Sequence, residues 1–134
     1  MDIKKNNVIA EEKKSKLITM LVSISIAFAI TAIIFIGYAI LITYSNVGEE
    51  HLTLVITATS IISIVVAGFD MAKSCENKGW LWGIIAGLIY ALILIIIGIF
   101  AANKTVFTSQ TLMLILLSAA SGGVGGIIGI NFKK

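Results

Sequence analysis

Hydrophobic and polar positions fall along this chain in long blocks rather than in short periods. Leu17–Ile42, Leu52–Phe69, Trp80–Ala102 and Gln110–Phe132 are apolar runs. Polar breaks at Thr43–His51, Asp70–Gly79 and Asn103–Ser109 separate them, and a polar stretch over residues 1–16 precedes them. A helix needs about 20 apolar residues to cross the hydrocarbon core, within a range of about 17–25. Every run meets that length; the second, the shortest, does so with Asp70 and Met71 in the interface. In lipid each backbone N–H and C=O must be paired within the segment, so runs of this kind are helices. The pattern predicts an all-α integral membrane domain over residues 17–134. Its architecture is an antiparallel four-helix bundle with spans near 17–42, 52–71, 80–102 and 110–132. Residues 1–16 read as a basic tail, with 6–16 as a short interfacial helix capped by Asn6 or Asn7. The first run exceeds the core of a signal peptide, about 7–15 residues, and ends in no small-residue cleavage site. It is expected to be a retained span.

The last run holds five of the chain's glycines, between Ser118 and Gly129, and the sequence has no proline. In a soluble helix each glycine costs about 0.5–1 kcal/mol relative to alanine. In a bilayer a glycine run becomes a smooth surface on which another helix lies closely. At 100° per residue, Ser118, Gly122, Gly125 and Gly129 share one face, flanked by Ser121 and Gly126. Leu116, Val124 and Ile127 lie opposite, towards lipid. The third run carries Gly79, Gly83 and Gly87 at four-residue spacing, with Ala86 and Tyr90 on the same side.

Counting inward from Trp80 and Phe132 pairs Gly83 with Gly129, Gly87 with Gly125, and Tyr90 with Gly122. The expectation is a close third–fourth helix pair with the Tyr90 ring over Gly122, which Gly125→Leu would separate. The Tyr90 hydroxyl then needs a partner among Ser118, Ser121, Thr31, Ser60 and Ser63. A homodimer seam is the rival use of these glycines; the short link between the two helices favours the intramolecular one. Ser23, Ala27 and Thr31 on the first span, and Ala67-Gly68 on the second, repeat the small-residue theme more weakly.

Composition sharpens this picture. The chain is 58% hydrophobic and 13% charged, outside the range of soluble domains. All ten basic residues are lysines, which weighs against a bidentate guanidinium clamp. Five lie in the N-terminal stretch, two in Asp70–Gly79 and two at the C-terminus, leaving only Lys104 for the other two links. That asymmetry puts both termini in the cytoplasm, with the Glu49-Glu50-His51 loop facing outward. The same clustering at span ends argues against nucleic acid as a partner. Trp80 and Trp82 open the third span as interfacial anchors rather than a ligand grip.

No span has an internal ionisable residue, whereas proton-coupled transport usually places one there. Asp70, the nearest, reads as an interfacial stop beside Lys73. Glu49, Glu50 and His51 are adjacent, cannot readily converge on one metal ion, and read as a solvated loop. Cys75 is single, so it forms no internal disulfide, and it reads as an ordinary free thiol. Gly122-Gly123-Val124-Gly125-Gly126 lacks the preceding strand and the Lys-Ser/Thr ending of a phosphate loop. No catalytic pair, cofactor site or metal site is expected, and the chain is not expected to be an enzyme.

The segment Lys78-Gly79-Trp80-Leu81 with Gly83, Gly87 and Tyr90, and the ending Gly122-Gly123-Val124-Gly125-Gly126-Ile127-Ile128-Gly129-Ile130-Asn131, resemble the YrzE-like family of small four-helix membrane proteins of Gram-positive bacteria. The likeness is clearest over residues 60–132. It implies four spans and a bacterial plasma-membrane location, and it transfers no catalytic or binding residue. Asp70 departs from it, standing where small or basic residues usually follow the second helix. The expected partners are the lipid bilayer and another membrane protein or a second copy of the chain. The expected role is a non-enzymatic accessory or assembly subunit of a membrane complex. The alternatives are a homo-oligomeric channel or transporter for a small solute, and a lipid-binding protein that uses the basic N-terminal segment.

Overall fold

A computed structural model describes residues 2–46, 48–102 and 108–133. Lys104, Lys134, most of the third link and the side chain of Glu49 lie outside the described residues. The described chain forms four helices: α1 (Asp2–Tyr44), α2 (Leu52–Lys73), α3 (Gly79–Ala102) and α4 (Ser109–Phe132). A 3-10 turn at Glu49–His51 leads into α2. All four helices are long and apolar enough to cross a membrane, and their ends fall within two residues of the hydropathy boundaries for the last three spans.

The first helix differs. It has 43 residues, about 65 Å at 1.5 Å per residue, against a hydrocarbon core of about 30 Å. Residues 2–16 are not a separate interfacial helix starting at an asparagine cap; they continue the first span without a break. The stretch contains neither glycine nor proline, Asp2 sits in the first turn where a negative charge suits the helix dipole, and Glu12 precedes Lys16 by four residues. A solvated helix of this kind needs no apolar face, which is why hydropathy could not show it.

Helices α2, α3 and α4 pack against one another as a three-helix core, and α1 lies mainly against α2. Burial is confined to one half of the bundle. Among the described residues, none is buried in α1 after Thr31, in α2 before Thr59, in α3 after Ala91 or in α4 before Ser118. The packed half is the one that carries the α2–α3 turn. There Lys78 takes a left-handed conformation, φ 58°, and its carbonyl accepts from the N–H groups of Leu81 (3.0 Å) and Trp82 (3.3 Å) to start α3.

Candidate functional site

The packed half begins with the glycines of α4, which divide between two neighbours. A Cβ placed on Gly122 or Gly126 would strike the carbonyl oxygens of Gly83 and Gly79 on α3, respectively. One on Gly125 or Gly129 would strike the carbonyls of Val65 and Phe69 on α2. Gly68 of α2 lies equally close to Gly122, so three backbones converge there. The two rows, 122/126 and 125/129, lie about 60° apart on the helix. A face that reads as one narrow stripe in sequence therefore serves two partners.

The pairing with α3 is also displaced from the sequence count. Gly83 lies against Gly122 and Gly126, not Gly129, and Gly87 lies against Ser118 and Gly122, not Gly125. Phe132 does not mark the same depth as Trp80. It runs more than a turn beyond and meets Phe69 edge-on, with ring centroids 5.9 Å apart.

Tyr90 does not cover the Gly122 gap. Its ring, wholly buried, stacks on Phe28 of α1 with centroids 4.6 Å apart. Its hydroxyl is 2.7 Å from Thr31 Oγ1. Thr31 Oγ1 also lies 2.8 Å from Ser63 Oγ and 2.9 Å from the Ala27 carbonyl. Either Tyr90 or Thr31 can donate in the bond between them, and the three hydroxyls form a chain linking α1, α2 and α3. Ser118 and Ser121 take no part: Ser121 donates to the Leu117 carbonyl of its own helix, 2.7 Å away.

Towards the α2–α3 turn, Ser23 Oγ lies 3.0 Å from Asp70 Oδ2 and 2.8 Å from the Thr19 carbonyl. Asp70 does not stop α2, which runs on to Lys73; half-buried, it ties α2 to α1. The Lys73 ammonium sits 4.5 Å from the Phe69 ring, and that of Lys16 sits 5.7 Å from the Trp82 ring. Trp80 is half exposed, whereas Trp82 turns inwards to pack beside the core of Met20, Ile24, Met71, Cys75 and Ala86. Cys75 is a free thiol, 1% exposed. Burial pushes its pKa up, against the opposing pull of Lys16 and Lys133. Lys133 Nζ donates to the Cys75 carbonyl at 3.1 Å, tying the end of α4 to the turn.

Glu50 and His51 are exposed at the opposite end, and no metal-holding group of three His, Cys, Asp or Glu occurs among the described residues. The assembled features are therefore glycine contacts, a hydroxyl chain and a basic rim. The Ser23–Asp70 bond and the α2–α4 seam are the functional contacts that sequence reasoning missed. Ser23-xxx-Ala27-xxx-Thr31 on α1, and Gly125 with Gly129 as a second row on α4, were their signals.

The family described as "Protein of unknown function (DUF3792)" matches residues 16–129. The chain belongs to this family. It is also similar to the "Uncharacterized membrane protein YrzE" of Bacillus subtilis (strain 168), with 27% identity over 113 residues, covering 84% of this chain and 73% of the relative. No solved structure matches it. This DUF3792 member is thus a multi-pass membrane protein in contact with the bilayer. The family match starts at Lys16, where α1 meets Trp82, and covers every buried residue named above.

Proposed function

We propose that this protein is a non-enzymatic accessory or assembly subunit of a larger complex in the bacterial plasma membrane, with both termini in the cytoplasm. The observation that carries this reading is the confinement of burial to half of the bundle. Phe100, Leu112 and Met113 are 82%, 64% and 70% exposed on the open half. Lipid tolerates such side chains, but it offers no fixed packing partner, and close van der Waals packing is what drives helix association in a bilayer. Helices held together at one end leave apolar surface open at the other, including a groove between α1 and α2 lined by Phe35, Tyr38, Val55 and Ile56, for a helix from another chain to cover.

The direction of the polar groups supports the same choice. A channel built from several copies needs Thr31, Ser60, Ser63 and Ser118 on outward faces. Thr31, Ser63 and Ser118 are instead buried, and two of them are bonded within the chain. The absence of ionisable residues within the apolar runs weighs against proton-coupled transport. The cytoplasmic placement of the termini rests on nine lysines at the basic end against Lys104 alone elsewhere.

The test is the mass and composition of the particle released from native membranes in a mild detergent. A second protein in fixed stoichiometry is the expected result. A bare monomer, or a homo-oligomer that conducts a solute in liposomes, overturns the reading.

A further inference from the structure

On the basic rim, Lys13, Lys16, Leu17 and Met20 lie at helical spacing on one face of α1 and, with Trp82 of α3, line a groove of about 250 Å³. Its two halves differ in chemistry. The floor is apolar, formed by Leu17, Met20, the Trp82 ring and the methylene stems of Lys13 and Lys16, and the rim is basic because those two stems end in ammonium groups. Because α1 continues as a helix through residues 2–16, both lysines are held over the groove rather than on a loose tail. Trp82 fixes Lys16 further, since its ring lies 5.7 Å from the ammonium, within cation–π reach. Glu12 and Glu76 border a neighbouring groove on another side of Lys16, so an anion is favoured only from the Lys13 side. Leu17 is 61% exposed, so the floor opens sideways to the bilayer.

We propose that this groove binds one anionic glycerophospholipid. The phosphate accepts from Lys13 and Lys16, and an acyl chain runs down over Leu17 and Met20 against Trp82. Along α1, Lys13 precedes Leu17 and Lys16 precedes Met20 by one turn, so basic positions stand next to apolar ones as a lipid's phosphate stands next to its chains. An inorganic anion uses only the mouth, and an uncharged lipid only the floor. Basic residues at the end of a span select anionic lipid by charge, and this groove adds a defined seat to that general attraction.

The test uses the full chain, as Trp80→Phe, so that Trp82 is the single tryptophan. The protein is reconstituted into phosphatidylcholine vesicles containing a rising fraction of phosphatidylglycerol with brominated acyl chains, and Trp82 fluorescence is followed. The expected result is saturable quenching at a lower mole fraction than with brominated phosphatidylcholine. Lys13→Gln and Lys16→Gln each weaken that preference about fivefold, and Lys13→Arg with Lys16→Arg retains it. Lys4→Gln and Lys5→Gln each remove the same charge from the same helix further out, and leave the preference intact. Helicity by circular dichroism shows that each variant folds. Soluble glycerol phosphate leaves the quenching unchanged if lipid is the ligand. Three outcomes overturn the proposal: no preference for phosphatidylglycerol, equal loss in the Lys4/Lys5 control, or displacement by soluble glycerol phosphate.

Discussion

Both halves of the bundle are apolar helix, yet their packing is opposite. In the half near the α2–α3 turn, Gly68, Gly79, Gly83, Gly87, Gly122, Gly125, Gly126 and Gly129 each bring one backbone against another. In the open half, a Cβ added at Gly37 or Gly98 would meet nothing within 4 Å. The residue type is the same, and its consequence depends on whether a second helix arrives. Lipid is as apolar as leucine, so helices in a bilayer are not drawn together by the hydrophobic effect. They meet where small residues allow backbones to approach, and where hydroxyls find partners. Both conditions join helices at one end of this molecule, whereas at the open end the Thr43 and Thr57 hydroxyls bond within their own helices and Gly37 and Gly98 meet no second backbone.

The largest expected break in this contrast is Gly83→Leu or Gly122→Leu. Either places a side chain where a backbone carbonyl now sits, at a cost of about 3 kcal/mol, the upper end of ordinary overpacking. Gly98→Leu, the counterpart in the open half, should change stability by less than about 0.5 kcal/mol. Detergent-denaturant unfolding of the purified protein compares the three directly.

A finer break is Gly125→Leu. It should part α4 from α2, as read from lost cysteine cross-linking between those helices, while cross-links between α3 and α4 persist. Equal loss of both would show that α4 has one seam rather than two.

The hydroxyl chain comes next. Tyr90→Phe removes the hydroxyl bonded to Thr31 while keeping the ring on Phe28, and should cost about 0.6 kcal/mol, within a ceiling of about 1.7 kcal/mol. Thr31→Val in the same background should then cost less than it does alone, because the two act through one bond.

The turn supplies the smallest effects. Lys78→Gly should stabilise by roughly 1 kcal/mol, since glycine takes the left-handed conformation without steric penalty. Cys75 should alkylate slowly in the folded protein, because burial both shields the thiol and raises its pKa above the ordinary 9.0. The folded state holds the proton more tightly than the unfolded one, so this contribution to stability is constant below pH 9.0 and declines above it. Cys75→Ser should remove that decline from a stability–pH profile.

Much of this architecture was legible in the sequence because the bilayer enforces it. Long apolar runs without internal charge must be helices, so the ends of α2, α3 and α4 fall within two residues of the expected bounds 52–71, 80–102 and 110–132. The glycine spacing exposed the seam in the same way. Its register was not legible, because α4 extends past the depth of Trp80, and hydropathy does not record how far a helix protrudes. Nor was the choice of partners. Gly122 and Gly125 are about 60° apart, which fits one broad contact or two narrow ones, and only the position of α2 decides between them. Tyr90 illustrates the same limit. Thr31 stood among its candidate partners, but the stacking on Phe28 depends on where α1 docks. The start of α1 at Asp2 and its unbroken run into the first span escaped notice because a solvated helix carries no apolar period.

Photo-cross-linking in native membranes tests the central contrast most directly. A cross-linking amino acid at Phe100 or Leu112 samples the open half, and one at Val124 or Ile127, which are 52% and 50% exposed, samples the outer surface of the packed half. A discrete protein adduct is expected from the first pair and lipid adducts alone from the second. Lipid adducts alone from all four positions, with the protein present at its natural level, would contradict that contrast.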